Sequence, residues 1–212
     1  MQNFFTVALP LLASVTTSSV TLPSVFPPPL SAPPPYSIIQ EEPTSKTATK
    51  TVAPEKPKEK RLICKGCNEN ENVALNYFQD IGIKDKNALA TILGNIKQES
   101  TFQANVCEGG SRRSYYNCYG GYGLIQWTSA NRYHGLGDFA KKYGGSPSSL
   151  HTQLRYLTNE TQWKKIEDRM KTNGRSIYSY MSDAYSWIGW GCHGSRTSYA
   201  YDYASRLTPA EV

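Results

Sequence analysis

Lysine and arginine are missing from the first 45 residues of this 212-residue chain. The apolar run Phe4-Phe5-Thr6-Val7-Ala8-Leu9-Pro10-Leu11-Leu12-Ala13 therefore lacks the basic residues that normally precede a secretory signal. At about ten residues it is too short to cross a bilayer, so no membrane span is expected. Two readings stay open for it: a degenerate export signal, or an apolar arm that docks into a larger assembly. Proline is almost absent beyond Pro57, with eleven of thirteen at or before it. Tryptophan is absent before Trp127, and tyrosine, apart from Tyr36, before Tyr77. The chain therefore divides. Residues 1–60 include Phe26-Pro27-Pro28-Pro29-Leu30 and Pro33-Pro34-Pro35-Tyr36, offer no spaced apolar residues to bury, and read as an extended, proline-rich arm and tether. Residues 61–212 carry enough aromatic and aliphatic side chains for one compact core.

Also missing are an alternating apolar pattern long enough for a substantial sheet and a Lys/Arg stripe interleaved with aromatics on one helix. The first absence predicts a mainly α domain with a small loop or β-like insert. The second argues against a nucleic-acid partner. A mild basic excess, 18 Lys/Arg against 13 Asp/Glu over residues 61–212, would still suit an anionic polymer such as a bacterial wall.

Cysteine is scarce, at five residues. Cys64-Lys65-Gly66-Cys67 with Cys107 and Cys118 offers four thiolates for zinc, but ten residues separate the second pair, where zinc sites use roughly two to four. One or two disulfides, Cys107–Cys118 among them, or free buried thiols are the alternatives, the former placing the protein outside a reducing cytosol. The odd count leaves one cysteine without an intramolecular disulfide partner.

Val73, Leu75, Tyr77, Phe78 and Ile81 predict a first helix that ends at Gly82. Behind Asp85, a capping residue, Leu89, Ile92, Leu93 and Ile96 recur at helical spacing and predict a second helix through Ser100. Residues 101–130, rich in Gly, Ser, Asn and Tyr, predict a loop or short hairpin. Four helical stripes follow: Leu150, Leu154 and Leu157; Trp163, Ile166 and Met170; Ile177, Tyr180, Met181, Ala184 and Tyr185; and Tyr199, Tyr203 and Leu207.

Around the second helix Glu99 lies about 20° from Ile92 and about 60° from Ile96, at the edge of the apolar stripe and in the last turn. Poor solvation and the negative end of the helix dipole both disfavour its charged form there. Glycoside cleavage needs a carboxylic acid that keeps its proton near neutrality and hands it to the departing oxygen. A solvated glutamate at a helix end is the competing reading. Further on, Gly120-Gly121-Tyr122-Gly123-Leu124-Ile125-Gln126-Trp127-Thr128 combines glycines that admit close backbone approach with the Gln126 carboxamide and the flat faces of Tyr122 and Trp127. It suits an N-acetylated sugar, or else a tight turn whose Trp127 fills the core. The cluster from Asp183 to Gly191, with Tyr185, Trp187 and Trp190, either lines a groove or runs as core helix into a turn. His134, His151 and His193 lack evident partners and read as structural.

Taken in order, Gly94-Asn95-Ile96-Lys97-Gln98-Glu99-Ser100 with Phe102, Tyr122-Gly123-Leu124-Ile125-Gln126-Trp127-Thr128, and Gln153-Leu154-Arg155-Tyr156-Leu157 with Glu160 resemble the phage tail lysozyme family. More distantly they resemble goose-type lysozymes and soluble lytic transglycosylases, with Ala184-Tyr185 like a third motif of the latter. The resemblance covers about residues 70–207. It implies a lysozyme-like α+β fold and cleavage of the β-1,4 bond between N-acetylmuramic acid and N-acetylglucosamine by a virion-borne enzyme. Glu99 stands at the catalytic acid's place, and Gln126, with Tyr185 more loosely, at substrate-contacting places. No metal or cofactor is needed. Asp138 and Glu160 are the candidates for a second carboxylate that activates water, unless the substrate's own hydroxyl attacks, as in the transglycosylases. The partners expected are peptidoglycan and, through the N-terminal arm, tail or baseplate proteins of the virion. The rivals are a catalytically inactive wall-binding module and an assembly component whose working part is residues 1–60.

Overall fold

The computed structural model describes residues 60–190 and 192–211, so the arm expected over residues 1–59 lies outside the described residues. These residues form eight α-helices and one two-stranded sheet. Strand β1 (Lys60–Cys64) runs antiparallel to β2 (Leu207–Glu211), from Lys60 opposite Glu211 to Cys64 opposite Leu207, and joins the two ends of the domain. Pro209 is tolerated there because a two-stranded ribbon has only edge strands, with amides that need no ladder partner. The two strands lie outside the insert, which is the irregular, β-like segment expected. Residues 101–129 hold a 3-10 turn at Tyr115–Asn117 and three isolated bridges.

Helix α1 (Glu69–Asp80) starts with a capping box: the Glu71 amide donates to the Asn68 side chain at 3.0 Å, and the Asn68 amide to the Glu71 carboxylate at 2.7 Å. It stops before Gly82, whose φ of 97° an L side chain would resist. Helix α2 (Lys86–Ser100) begins where Asp85 accepts from the amides of Asn87 and Ala88, and its stripe of Leu89, Ile92, Leu93 and Ile96 is fully buried. Thr101 and Phe102 then turn left-handed, at φ 48° and 61°, and end it.

Helix α3 (Ala130–Tyr143) is the element that apolar periodicity missed, since only Leu136 and Ala140 on it are buried and Gly135 and Gly137 lower its helix propensity. The glycines admit neighbouring rings: a Cβ at Gly137 would lie 2.6 Å from the Tyr115 hydroxyl, and one at Gly135 would collide with that of Tyr156. Helix α4 (Leu150–Asn159) buries Leu154 and Leu157. The stripe of Trp163, Ile166 and Met170 is fully buried but divided between two short helices, α5 (Thr161–Lys164) and α6 (Glu167–Met170). Helix α7 (Ile177–Ile188) follows, and α8 (Arg196–Arg206) gives way to strand at Leu207, which had been expected on the helix.

Helices α2 and α8 meet backbone to backbone. A Cβ on Gly94 would lie 2.7 Å from the Ala200 nitrogen and 2.8 Å from the Arg196 carbonyl oxygen. Cysteines pair as Cys64–Cys67 and Cys107–Cys118, which takes up the four thiols that zinc would have required; Cys192 is free and exposed. No helix among the described residues is long and apolar enough to cross a membrane.

Gly94→Ala should force these helices apart, at a cost of about 1–3 kcal/mol for overpacking. A lowered midpoint in thermal unfolding is the expected result; an unchanged one would show that the contact is not tight.

Candidate active site

Glu99 leaves the last turn of α2 with its side chain only 9% exposed, and its Oε1 accepts a hydrogen bond of 2.5 Å from Nη2 of Arg196, the first residue of α8. Arg196, itself buried, also donates through Nη1 to the Asn95 carbonyl at 3.4 Å. Burial is the strongest influence on the Glu99 carboxyl and pushes it above the usual carboxylate range, while Arg196 and, more weakly, Arg132 pull the other way. The competing picture of a freely solvated helix-end glutamate does not describe this residue.

Two side chains hold the insert against this helix end. Ser100 Oγ donates to the Leu124 carbonyl at 2.8 Å. Gln153, fully buried on α4, accepts from the Leu124 amide and donates to the carbonyls of Ala104 and Pro147, each at 2.7 Å. Gly123 is required there, since a Cβ would lie 2.5 Å from the Gln153 oxygen. The turn that follows sets Gln126 at φ 51° and brings it into the cleft that Glu99 lines. The Gln126 amide nitrogen is committed to the carbonyls of Gly123 at 2.9 Å and Val106 at 3.4 Å, so the oxygen is its acceptor toward a ligand.

This cleft, of about 480 Å³, is also lined by Glu108, Arg132, Ile188 and Trp190. A second depression of about 390 Å³, lined by Gln103, Val106 and Arg112 among others, lies on Glu99 as well. The carboxyl therefore borders two open troughs.

Several expected contacts are corrected. Tyr122 and Trp127 are completely buried: the Tyr122 hydroxyl is hydrogen-bonded to Ser148 Oγ and to the Arg113 carbonyl, and Trp127 Nε1 donates to Glu160 at 2.9 Å. Neither ring presents a face to a sugar, because both fill the core beneath the insert. Tyr185 is exposed but lines a separate groove with Tyr178, Met181 and Cys192; the cluster it belongs to reaches the cleft through Trp190 instead. Glu160 is buried and holds Arg132 by two bonds of 2.7 and 2.8 Å in addition to Trp127, and it does not line the cleft that Glu99 borders. Asp138 lines a cavity on another face of α3.

The second carboxylate in the cleft is Glu108, an exposed residue whose Oε2 accepts from the Gly121 amide at 2.9 Å. Its neighbour Cys107 is pinned by the disulfide to Cys118, and Gly120 leaves the space it occupies. That cysteine pair was the one sequence signal that would have drawn attention to it.

A buried acid between two troughs, with a glutamine turn across from it, is an arrangement for gripping a polymer around one bond. A sequence model of phage tail lysozymes matches residues 69–204. The chain belongs to the phage tail lysozyme family. As a phage tail lysozyme it is a lytic enzyme of the glycosidase kind directed at the bacterial cell wall. Among its described residues no cluster of His, Cys, Asp or Glu is arranged to hold a metal ion.

Arg196 favours the ionised form of Glu99 and so lowers the pH up to which this carboxyl of the phage tail lysozyme keeps its proton. In Arg196→Gln burial would act with less opposition, raising the carboxyl further. The alkaline limb of the wall-clearing pH profile is expected to move to higher pH; a limb that stays in place or moves down would contradict the pairing.

Proposed function

We propose that this domain cleaves the β-1,4 bond between N-acetylmuramic acid and N-acetylglucosamine, with Glu99 as the general acid. The observation that carries this reading is a carboxyl that burial holds toward its protonated form at the junction of two open troughs. A glycan strand lying across both troughs presents an interior bond to the acid. Glu99 gives its proton to the leaving oxygen as the anomeric carbon gains positive charge. The carboxylate left behind is stabilised by Arg196, already within hydrogen-bond distance, whose pull is strongest once the proton has gone.

Gln126 contributes an acceptor for an N-acetyl amide, and Trp190, 56% exposed, contributes an aromatic face for a sugar ring. Glu108 is the carboxylate placed to take a proton from an attacking water, which favours hydrolysis over attack by the substrate's own hydroxyl. At the level of the particle, the reading is a virion-borne lysozyme acting on the host wall, with residues 1–60 attaching it to tail or baseplate proteins. The close Glu99–Arg196 pair is the feature that favours the rival, an inactive wall-binding domain, since it stabilises the anion.

Glu99→Gln separates the two. Clearing of purified peptidoglycan should fall by roughly two orders of magnitude or more, the usual contribution of a positioned acid, while the variant still pellets with the wall. Undiminished clearing would overturn the assignment. Mass spectrometry of the fragments released by the unaltered protein is expected to show reducing muramic ends that become scarce in Glu108→Gln. Anhydro ends would mean transglycosylation and leave Glu108 without this role.

A further inference from the structure

A cavity of about 690 Å³ is not part of the Glu99 cleft and falls within the roughly 300–1,000 Å³ typical of ligand sites. It lies where α3 faces the 3-10 turn of the insert. Tyr115 and Tyr133 stack with centroids 4.6 Å apart and planes 13° from parallel, and Tyr116 stands at 83° to Tyr115 with centroids 5.1 Å apart. The rings form a corner. It is rigid before any ligand arrives: the Tyr115 hydroxyl donates to the Tyr133 carbonyl at 2.9 Å, the Tyr133 hydroxyl donates back to the Tyr115 carbonyl, and the Tyr115 amide donates to Ser148 Oγ at 3.1 Å. The Cys107–Cys118 disulfide fixes the far end of the turn.

Around this corner the chemistry is unspent. Tyr116 is 81% exposed. His134, Asp138 and Lys141, from consecutive turns of α3, line the same cavity. None of the three side chains makes a hydrogen bond or ion pair among the described residues, and the ring of His134 only meets that of Tyr133. An acceptor, a donor and a group able to act as either thus stand beside flat apolar faces. One acid and one base leave the cavity without net charge, which suits neither a polyphosphate nor a strongly cationic ligand. The complement is an uncharged pyranose, whose C–H face packs on an aromatic ring while its hydroxyl and amide groups find both donors and acceptors.

We infer that this corner is a second saccharide site, which holds N-acetylated sugar units of a glycan while a neighbouring stretch occupies the Glu99 cleft. Helix α3 serves both places, with Ser129 and Arg132 on the cleft and Tyr133, His134, Asp138 and Lys141 on the cavity. A second hold on the same polymer raises the effective concentration of bonds at the acid without any change there. That the glycan is bacterial wall rests on the function proposed above; its saccharide nature rests on the corner itself.

The test is an NMR titration of the full chain carrying Glu99→Gln with an N-acetylglucosamine tetramer. Resonances of Tyr116, His134, Asp138 and Lys141 should shift. Tyr116→Ala or Asp138→Asn should weaken that response about tenfold, equivalent to about 1.4 kcal/mol, while Tyr201→Ala, which removes an exposed tyrosine from α8, should not. Absent shifts, shifts indifferent to Tyr116→Ala, or a response to wall stem peptide and not to sugar would each overturn the site. Corner resonances that shift while those of Gln126 and Trp190 stay silent, in a Glu99→Gln protein that still clears wall, would sink the proposed function and leave the second site standing.

Discussion

The close approach of α2 and α8 at Gly94 is the constraint on which the site depends. With no side chain there, the backbone of α8 can lie against α2, and its first residue, Arg196, arrives beside Glu99 one and a half turns further along. The approach both buries the acid and supplies its counter-charge. Those two effects oppose each other, and burial prevails. The balance leaves the carboxyl above the usual carboxylate range.

The other wall of the cleft is irregular chain, which buries Phe102, Tyr122, Leu124 and Trp127 in the core and is fastened by polar groups as well. Ser100, Gln153 and the Cys107–Cys118 bridge fasten the insert to the helices, and Glu160 with Arg132 and Trp127 fastens it to α3 and α4. Such loops, carried on a helical frame, can vary in their rims without disturbing the core. Glu108 and the Tyr115–Tyr116 corner both lie on this rim.

Much of the helical frame was legible because burial of one helical face imposes a repeat that the sequence must carry. Leu89, Ile92, Leu93 and Ile96 announced α2, and Asp85 its start. Helix α3 was not legible, since it buries little and is held instead by tyrosine hydroxyls pressed against its glycines. The terminal strands were not legible either, because each is only five residues long and its partner lies at the opposite end of the domain. In the site, Glu99 and Gln126 came from motif and position. Arg196 and Arg132 came only from the folded chain, as neither is marked by any local pattern, and Glu108 had no mark but the neighbouring Cys107.

The sequence alone determined the helical class of the domain and the course of α2 up to Glu99, because both follow from a period of a few residues. Only the tertiary structure decided which aromatics are open to solvent. Tyr122, Trp127, Tyr116 and Trp190 are alike as residue types, yet two are sealed in the core and two stand open to solvent. Whether a ring is core or contact depends on what packs over it, and that cover comes from segments far away along the chain.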